Sequence, residues 1–200
     1  MITGYFGLPG SGKSSFLTML ARRELNRIRK GKSKYEHVLT NFYCKGCERF
    51  TASDLKNYRI DNSLILIDEI TLFFDSRDFK NFGAYKDFFI MHRHHGNDII
   101  YFTQQYDGVD KKIRDLTVEL YRIKMLGPFS VANTIYRILD INKDSHEIVQ
   151  GYRFPSIFER LLSLLHLIKI RKWCFRPLYY KYFDSYEIIS NLDPFDYVPW

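Results

Sequence analysis

The chain opens on a short apolar run, Ile2 to Phe6, that stops at Gly7. A run of that length closed by glycine reads as a buried strand. From Ser14 to Arg29 the apolar positions Phe16, Leu17, Leu20, Leu25 and Ile28 recur at helical spacing, and Gly31 is a stop signal. His37 to Tyr43 is strand-like. Asp61-Asn62 marks a turn before Leu64-Ile65-Leu66-Ile67, an unbroken apolar strand that ends on Asp68-Glu69. A helix is expected over Ala84 to His95, closed by Gly96, and then a strand over Ile99 to Thr103 that leads into Gln104. A short helix over Val109 to Leu116 follows. Val118 to Met125 and Thr134 to Ile141 read as strands joined through Gly127-Pro128 as a hairpin.

Strands alternating with helices through roughly residue 117 imply a mostly parallel sheet flanked by helices. The tail differs. Ser156 to Lys172 has the pattern of an amphipathic helix, with Ser156 and Glu159 at capping-box spacing. The last stretch, rich in Tyr, Phe, Asp and Pro, gives no regular reading. The expected division is a main strand–helix domain over 1–150 and a small helical and irregular extension over 151–200.

Chemistry enters with Gly7-Leu8-Pro9-Gly10-Ser11-Gly12-Lys13-Ser14, a phosphate loop placed between a strand and a helix. Its glycines let successive backbone N–H groups turn inward at phosphate oxygens, and the next helix adds the positive end of its dipole. Lys13 is expected at the β- and γ-phosphates of ATP, and Ser14 at Mg²⁺. Asp68 fits the second metal role and Glu69 the general base for water. That pair favours hydrolysis over a small-molecule kinase, whose acceptor is not water. Gln104 is expected beside the γ-phosphate. Arg93, within His92-Arg93-His94-His95-Gly96, is the first candidate for a transition-state arginine, a group that often acts across a subunit interface, with Arg77 and Arg114 as competitors. The histidines of that segment lack partners for a metal site, and a cationic helix end accounts for them. Cys44-x-x-Cys47 is at best half a zinc site, with Cys174 far away, and reads as buried or incidental thiols.

Net charge of +7 favours anionic partners. Part of it is concentrated between Arg22 and Lys34, making that run the first suspect for DNA contact, and a second group is Lys169, Arg171, Lys172 and Arg176. Three cysteines suggest no disulfide framework and a reducing compartment. No basic n-region precedes an apolar run at the N-terminus, and no stretch reaches the roughly 18 apolar residues that span a bilayer.

On Ile2–Ser14, Leu64–Glu69 and His92–Gln104, with the spacing continuing to Arg114, the chain resembles the zonular occludens toxin family. These are the assembly ATPases of filamentous phages, also called gene I type proteins. The likeness covers residues 1 to roughly 125. It implies a RecA-like, additional-strand ATPase core related to DNA-pumping motors. The loop residues from Gly7 through Ser14, with Ser15, would then hold ATP, with Mg²⁺ on Ser14 and Asp68, and Lys13, Glu69, Gln104 and Arg93 would carry catalysis. It also implies a homo-oligomeric ring on the cytoplasmic face of the host inner membrane, extruding single-stranded phage DNA with coat or assembly proteins. Family members commonly carry a transmembrane helix after the ATPase domain. Ile157 to Ile170 is too short and too charged for that, so it either packs on the core or lies in the membrane interface. The competing readings are a nucleoside or small-metabolite kinase and a non-catalytic nucleotide-switch scaffold.

Overall fold

The computed structural model describes residues 1–57, 59–72, 85, 87–141, 148–164 and 170–183. Strand β1 (Ile2–Phe6) leads through the phosphate loop into helix α1 (Lys13–Arg29). Then come β2 (His37–Thr40), β3 (Glu48–Arg49), α2 (Ala52–Asn57) and β4 (Ser63–Ile67). A helix at 87–91 (α3) precedes β5 (Asp98–Thr103), α4 (Lys111–Leu116) and the hairpin strands β6 (Glu119–Leu126) and β7 (Phe129–Ile141). The chain continues with β8 (Ile148–Arg153), α5 (Ile157–Leu164) and β9 (Arg171–Phe175).

The sheet runs β3-β2-β4-β5-β1-β6-β7-β8, with β9 also paired to β7. Strands β3 through β6 are mutually parallel, and β7 with its partners is antiparallel. Strand β5 lies between β1 and β4. This sets one strand between the loop-bearing strand and the Asp68-Glu69 strand, as the sequence resemblance implies.

Two apolar layers cover the sheet. On one face Phe16, Leu17 and Ala21 of α1 pack on Tyr5, Phe102, Tyr121, Ile123 and Leu66. Tyr5 stacks between Phe102 and Tyr121, each at 4.8 Å between ring centres. On the other face Leu55 of α2, Phe89 of α3 and Ile113 of α4 pack on Ile2, Ile65, Ile67, Ile99 and Tyr101. Both faces of β4 are therefore covered, which is why its sequence is apolar without alternation.

Four local expectations shift. Strand β2 stops at Thr40 because Asn41 turns away to bind the backbone of Asp68. The helix expected from Ala84 to His95 stops at 91, and turns carry the chain to Gly96; its first residue, Ala84, lies outside the described residues. The helix expected from Val109 begins at Lys111, capped by the Asp110 carboxylate, which accepts from the Lys112 N–H at 2.7 Å. The helix expected over Ser156 to Lys172 is described from Ile157 to Leu164, 165–169 lie outside the described residues, and Arg171–Phe175 forms strand β9 instead, because the open edge of β7 offers it a ladder of backbone partners. The capping box at its start is present: Ser156 N–H donates to Glu159 at 2.6 Å, and Glu159 N–H to Ser156 Oγ at 3.3 Å.

Candidate nucleotide site

The site lies at the C-terminal ends of β1, β4 and β5. Gly7 leaves β1 with no room for a side chain, since a Cβ there would stand 2.7 Å from Ser11 Oγ and 2.8 Å from the Ile123 carbonyl. Gly12, at φ 82°, takes the left-handed conformation that turns the loop into α1. The loop is tied from three sides. Gly7 N–H donates to the Thr103 carbonyl at 3.2 Å, Ser130 Oγ of β7 to the Ser11 carbonyl at 2.8 Å, and Cys174 Sγ of β9 to the Ser15 carbonyl at 3.6 Å. Leu8, Pro9 and Gly10 stand at the open rim.

Lys13 folds back over this cradle, and its Nζ donates to the carbonyls of Gly7 at 2.9 Å and Leu8 at 3.3 Å. Burial lowers its pKa, against the pull of Asp68 and Glu69. Ser14 Oγ donates to Asp68 Oδ2 at 3.3 Å. Burial, then the Glu69 charge, push the Asp68 carboxyl up to about 6. Asn41, itself buried, grips Asp68 from both sides, donating to its carbonyl at 2.8 Å and accepting from its N–H at 2.7 Å.

Glu69 follows with φ 51°, a strained value for a residue with a side chain. Its Oε1 accepts from Thr71 Oγ1 at 2.6 Å, Thr103 Oγ1 at 3.0 Å and the Gln104 N–H at 3.3 Å. The carboxylate is thereby aimed before any substrate arrives. Gln104 touches Glu69 through its backbone, and its side chain is exposed beside the site.

The hydroxyl of Ser14 and the carboxylate of Asp68 form a hard-oxygen pair next to a phosphate cradle. That donor set fits Mg²⁺, which takes one or two protein ligands and completes its shell with water and phosphate. Among the described residues no group of three His, Cys, Asp or Glu surrounds a common point.

Arg93 is not in this site. It is exposed in the turn before β5, whereas the phosphate loop meets the far end of that strand. Six residues of strand put roughly 17 Å between the two ends. Its surroundings are Met1, Asn62 and Asp98. Arg114 is engaged in its own chain, 3.6 Å from Asp107 and stacked over Tyr106. Arg77 lies outside the described residues. The neighbouring histidines diverge: buried His92 bonds the Phe89 carbonyl at 2.6 Å, and His95 pairs with Asp61 at 2.8 Å.

Sequence reasoning missed Asn41, Thr71, Thr103 and Ser130. It named Arg176 only within a basic group, whereas its Cδ stands 2.6 Å from where a Cβ on Gly12 would be.

A family model described as zonular occludens toxin (Zot) matches residues 1–187. The chain belongs to that family. Its structure is similar to the N-terminal domain of zonular occludens toxin from Neisseria meningitidis, with 20% identity, a TM-score of 0.54, and coverage of 79% of this chain and 95% of that one. Fainter likenesses are to the genome packaging NTPase B204 from Sulfolobus turreted icosahedral virus 2 in complex with ATP-gammaS (15% identity, TM-score 0.43, 64% of this chain and 75% of that one) and to the flagellar accessory protein FlaH from Methanocaldococcus jannaschii (11% identity, TM-score 0.48, 75% and 88%). No curated protein sequence matches the chain. This Zot-family chain is an α/β P-loop NTPase in fold.

Proposed function

We propose that this Zot-family chain is an ATP-hydrolysing motor for filamentous phage assembly and extrusion. It acts as a homo-oligomeric ring on single-stranded DNA or coat protein at the cytoplasmic face of the host inner membrane. The observation that carries the hydrolytic reading is the Glu69 carboxylate, held by Thr71, Thr103 and the Gln104 N–H beside the Ser14–Asp68 pair.

The loop N–H groups and the start of α1 bind the triphosphate. Lys13 exchanges its two carbonyl partners for phosphate oxygens, a favourable trade for a cation that burial makes costly. Ser14 and Asp68 would hold Mg²⁺, which supplies charge neutralisation at the phosphates. Glu69 accepts the proton of the attacking water, while Thr103 and Thr71 hold its carboxylate through Oε1. Gln104 is positioned to meet the γ-phosphate. We assign the arginine acting on the phosphates to a neighbouring subunit: of the described candidates, Arg93 lies at the other end of β5 and Arg114 is engaged with Asp107 and Tyr106 in its own chain.

Membrane association rests on α5. Ile157, Phe158 and Leu161 are 85%, 68% and 55% exposed, an apolar face without cover from the described residues. No helix of the described residues is long and apolar enough to cross a membrane.

Steady-state hydrolysis and binding of a fluorescent ATP analogue test the site. Lys13→Ala should abolish turnover and weaken binding. Glu69→Gln should keep binding within about threefold and lower turnover by at least roughly a hundredfold, the scale of a lost general base. Normal turnover by Glu69→Gln would remove Glu69 from the chemistry.

A further inference from the structure

The antiparallel end of the sheet has two unlike faces. Directly opposed residues share a face, so the pairing register sorts them. Ala132, Cys174, Ile123 and Tyr121 point to the α1 side and are buried. On the other side Lys124, Val131 and Trp173 form one row across β6, β7 and β9, and Arg122, Asn133 and Arg171 form the next. Phe129 stands opposite Phe175 in the row nearest the phosphate loop.

This second face is open. Trp173 is 49% exposed, and Phe129 and Phe175 are 37% and 39%. Phe129 meets Trp173 edge-on at 6.1 Å and Phe175 at 5.2 Å between ring centres. A groove of about 420 Å³ runs over the two rows, and its described lining includes Arg122, Lys124 and Arg171 but no carboxylate. The ion pairs among the described residues engage none of these three cations. Arg122 instead lies 5.9 Å over the Phe154 ring.

We infer that this β6-β7-β9 face is a binding surface for single-stranded DNA. Exposed rings on a sheet, interleaved with cations and with no carboxylate in the described lining, match a polymer that offers flat bases along an anionic backbone. A duplex hides its base faces within its own stack and leaves the rings without partners. A wholly apolar partner would leave three cations desolvated and unpaired. The Arg22–Lys34 run, the sequence's first suspect, is less suited. Arg27 pairs with Glu24 and Lys34 with Asp98, and α1 carries the run to the far end of the sheet.

The face is also wired to the nucleotide. Ser130, between Phe129 and Val131 on β7, donates to the Ser11 carbonyl of the phosphate loop, and Arg176, next after Phe175, packs on Gly12. A strand that shifts when DNA stacks on one face therefore moves the loop on the other. This assignment rests on the motor reading and names where that motor grips its cargo.

The test is fluorescence titration of the full chain with oligo-dT. Trp173 and Trp200 are the two tryptophans, so Trp200→Phe leaves Trp173 as the single reporter. The expected result is quenching of Trp173 by oligo-dT, weaker binding of a duplex of equal length, and affinity that falls steeply with salt. Trp173→Ala, read by the anisotropy of dye-labelled oligo-dT, should weaken binding by roughly five- to hundredfold, the scale of one lost stacking partner. Arg171→Glu, at an exposed position, should weaken it and flatten the salt slope. Both variants should keep basal hydrolysis and lose its stimulation by oligo-dT. Tight oligo-dT binding that leaves Trp173 unquenched and both variants unaffected would overturn this surface while leaving the motor intact. So would variants that alter only oligomer size, coat-protein capture or vesicle binding. Absent hydrolysis in a chain whose Trp173 is quenched would instead overturn the motor and keep the surface.

Discussion

At the scale of single residues, the site depends on carboxylates that the fold makes uncomfortable. Asp68 ordinarily ionises at 3.8 but is pushed up to about 6 by burial and by Glu69. The folded chain thus holds this proton over a range in which the unfolded chain has released it. Stability therefore falls as pH rises from about 4 to about 6, and the loss persists above that window, at about 2–3 kcal/mol. Asp68→Asn carries no charge to desolvate. Without nucleotide it should melt higher than the parent at pH 7–8, by several degrees, with the advantage vanishing below about pH 4. Thermal denaturation across pH checks this, and an advantage that grows toward low pH would contradict it. Lys13, Ser14, Asp68 and Glu69 were legible in the sequence because a local motif or a strand end displays them. Asn41, Thr71 and Thr103 were not. Their roles come from pairings that β2, β4 and β5 create in space, and an isolated Asn or Thr carries no signal of its partner. Arg93 is a different case: composition drew notice to it, and the direction of β5 sets it at the opposite end of the sheet from its own chain's phosphate loop, which leaves only a role toward a neighbouring subunit.

At the scale of elements, β1, α1, β2, β4 and β5 were readable from apolar runs and helical spacing, whereas β3 and α2, at two and six residues, are too short to carry a pattern. The tail was not readable either, because strand β9 is defined by the open edge of β7 rather than by any alternation of its own. The loop between β1 and α1 is constrained by that late strand. Gly12 is at φ 82°, and a Cβ there would stand 2.1 Å from Ser130 Oγ and 2.6 Å from Arg176 Cδ. Gly12→Ala adds backbone strain to a clash, on the order of 1–3 kcal/mol for the strain alone. The variant should melt lower and bind an ATP analogue weakly, as read by denaturation and titration together. Gly10→Ala, with φ 75° but open space around its Cβ, should cost less. Equal losses at the two positions would mean that Ser130 and Arg176 do not brace the loop.

At the scale of the whole molecule, the C-terminal residues are structural partners of the N-terminal site. Cys174 is buried and bonds the Ser15 carbonyl, and Ile170, just before β9, is buried too. A chain ended after Leu164 loses β9 and bares the β7 edge, an invitation to intermolecular pairing. It should melt at least roughly 10 °C lower, since each kcal/mol lost lowers the midpoint by about 2–4 °C at this size. Light scattering should show it aggregating. A truncated chain that melts like the parent would show that β9 is dispensable. The same topology sets a timetable for synthesis. Strand β1 leaves the ribosome first, yet its two neighbours in the sheet are β5 and β6, and Met1 meets its partner Asp98 across 97 positions. At about 5–20 residues per second, the first strand waits roughly 5–20 s for a neighbour. The brace on Gly12 comes later still, with Arg176. A nascent chain therefore carries its ATP-binding motif long before it can use it, and nucleotide affinity becomes a reporter of completed folding.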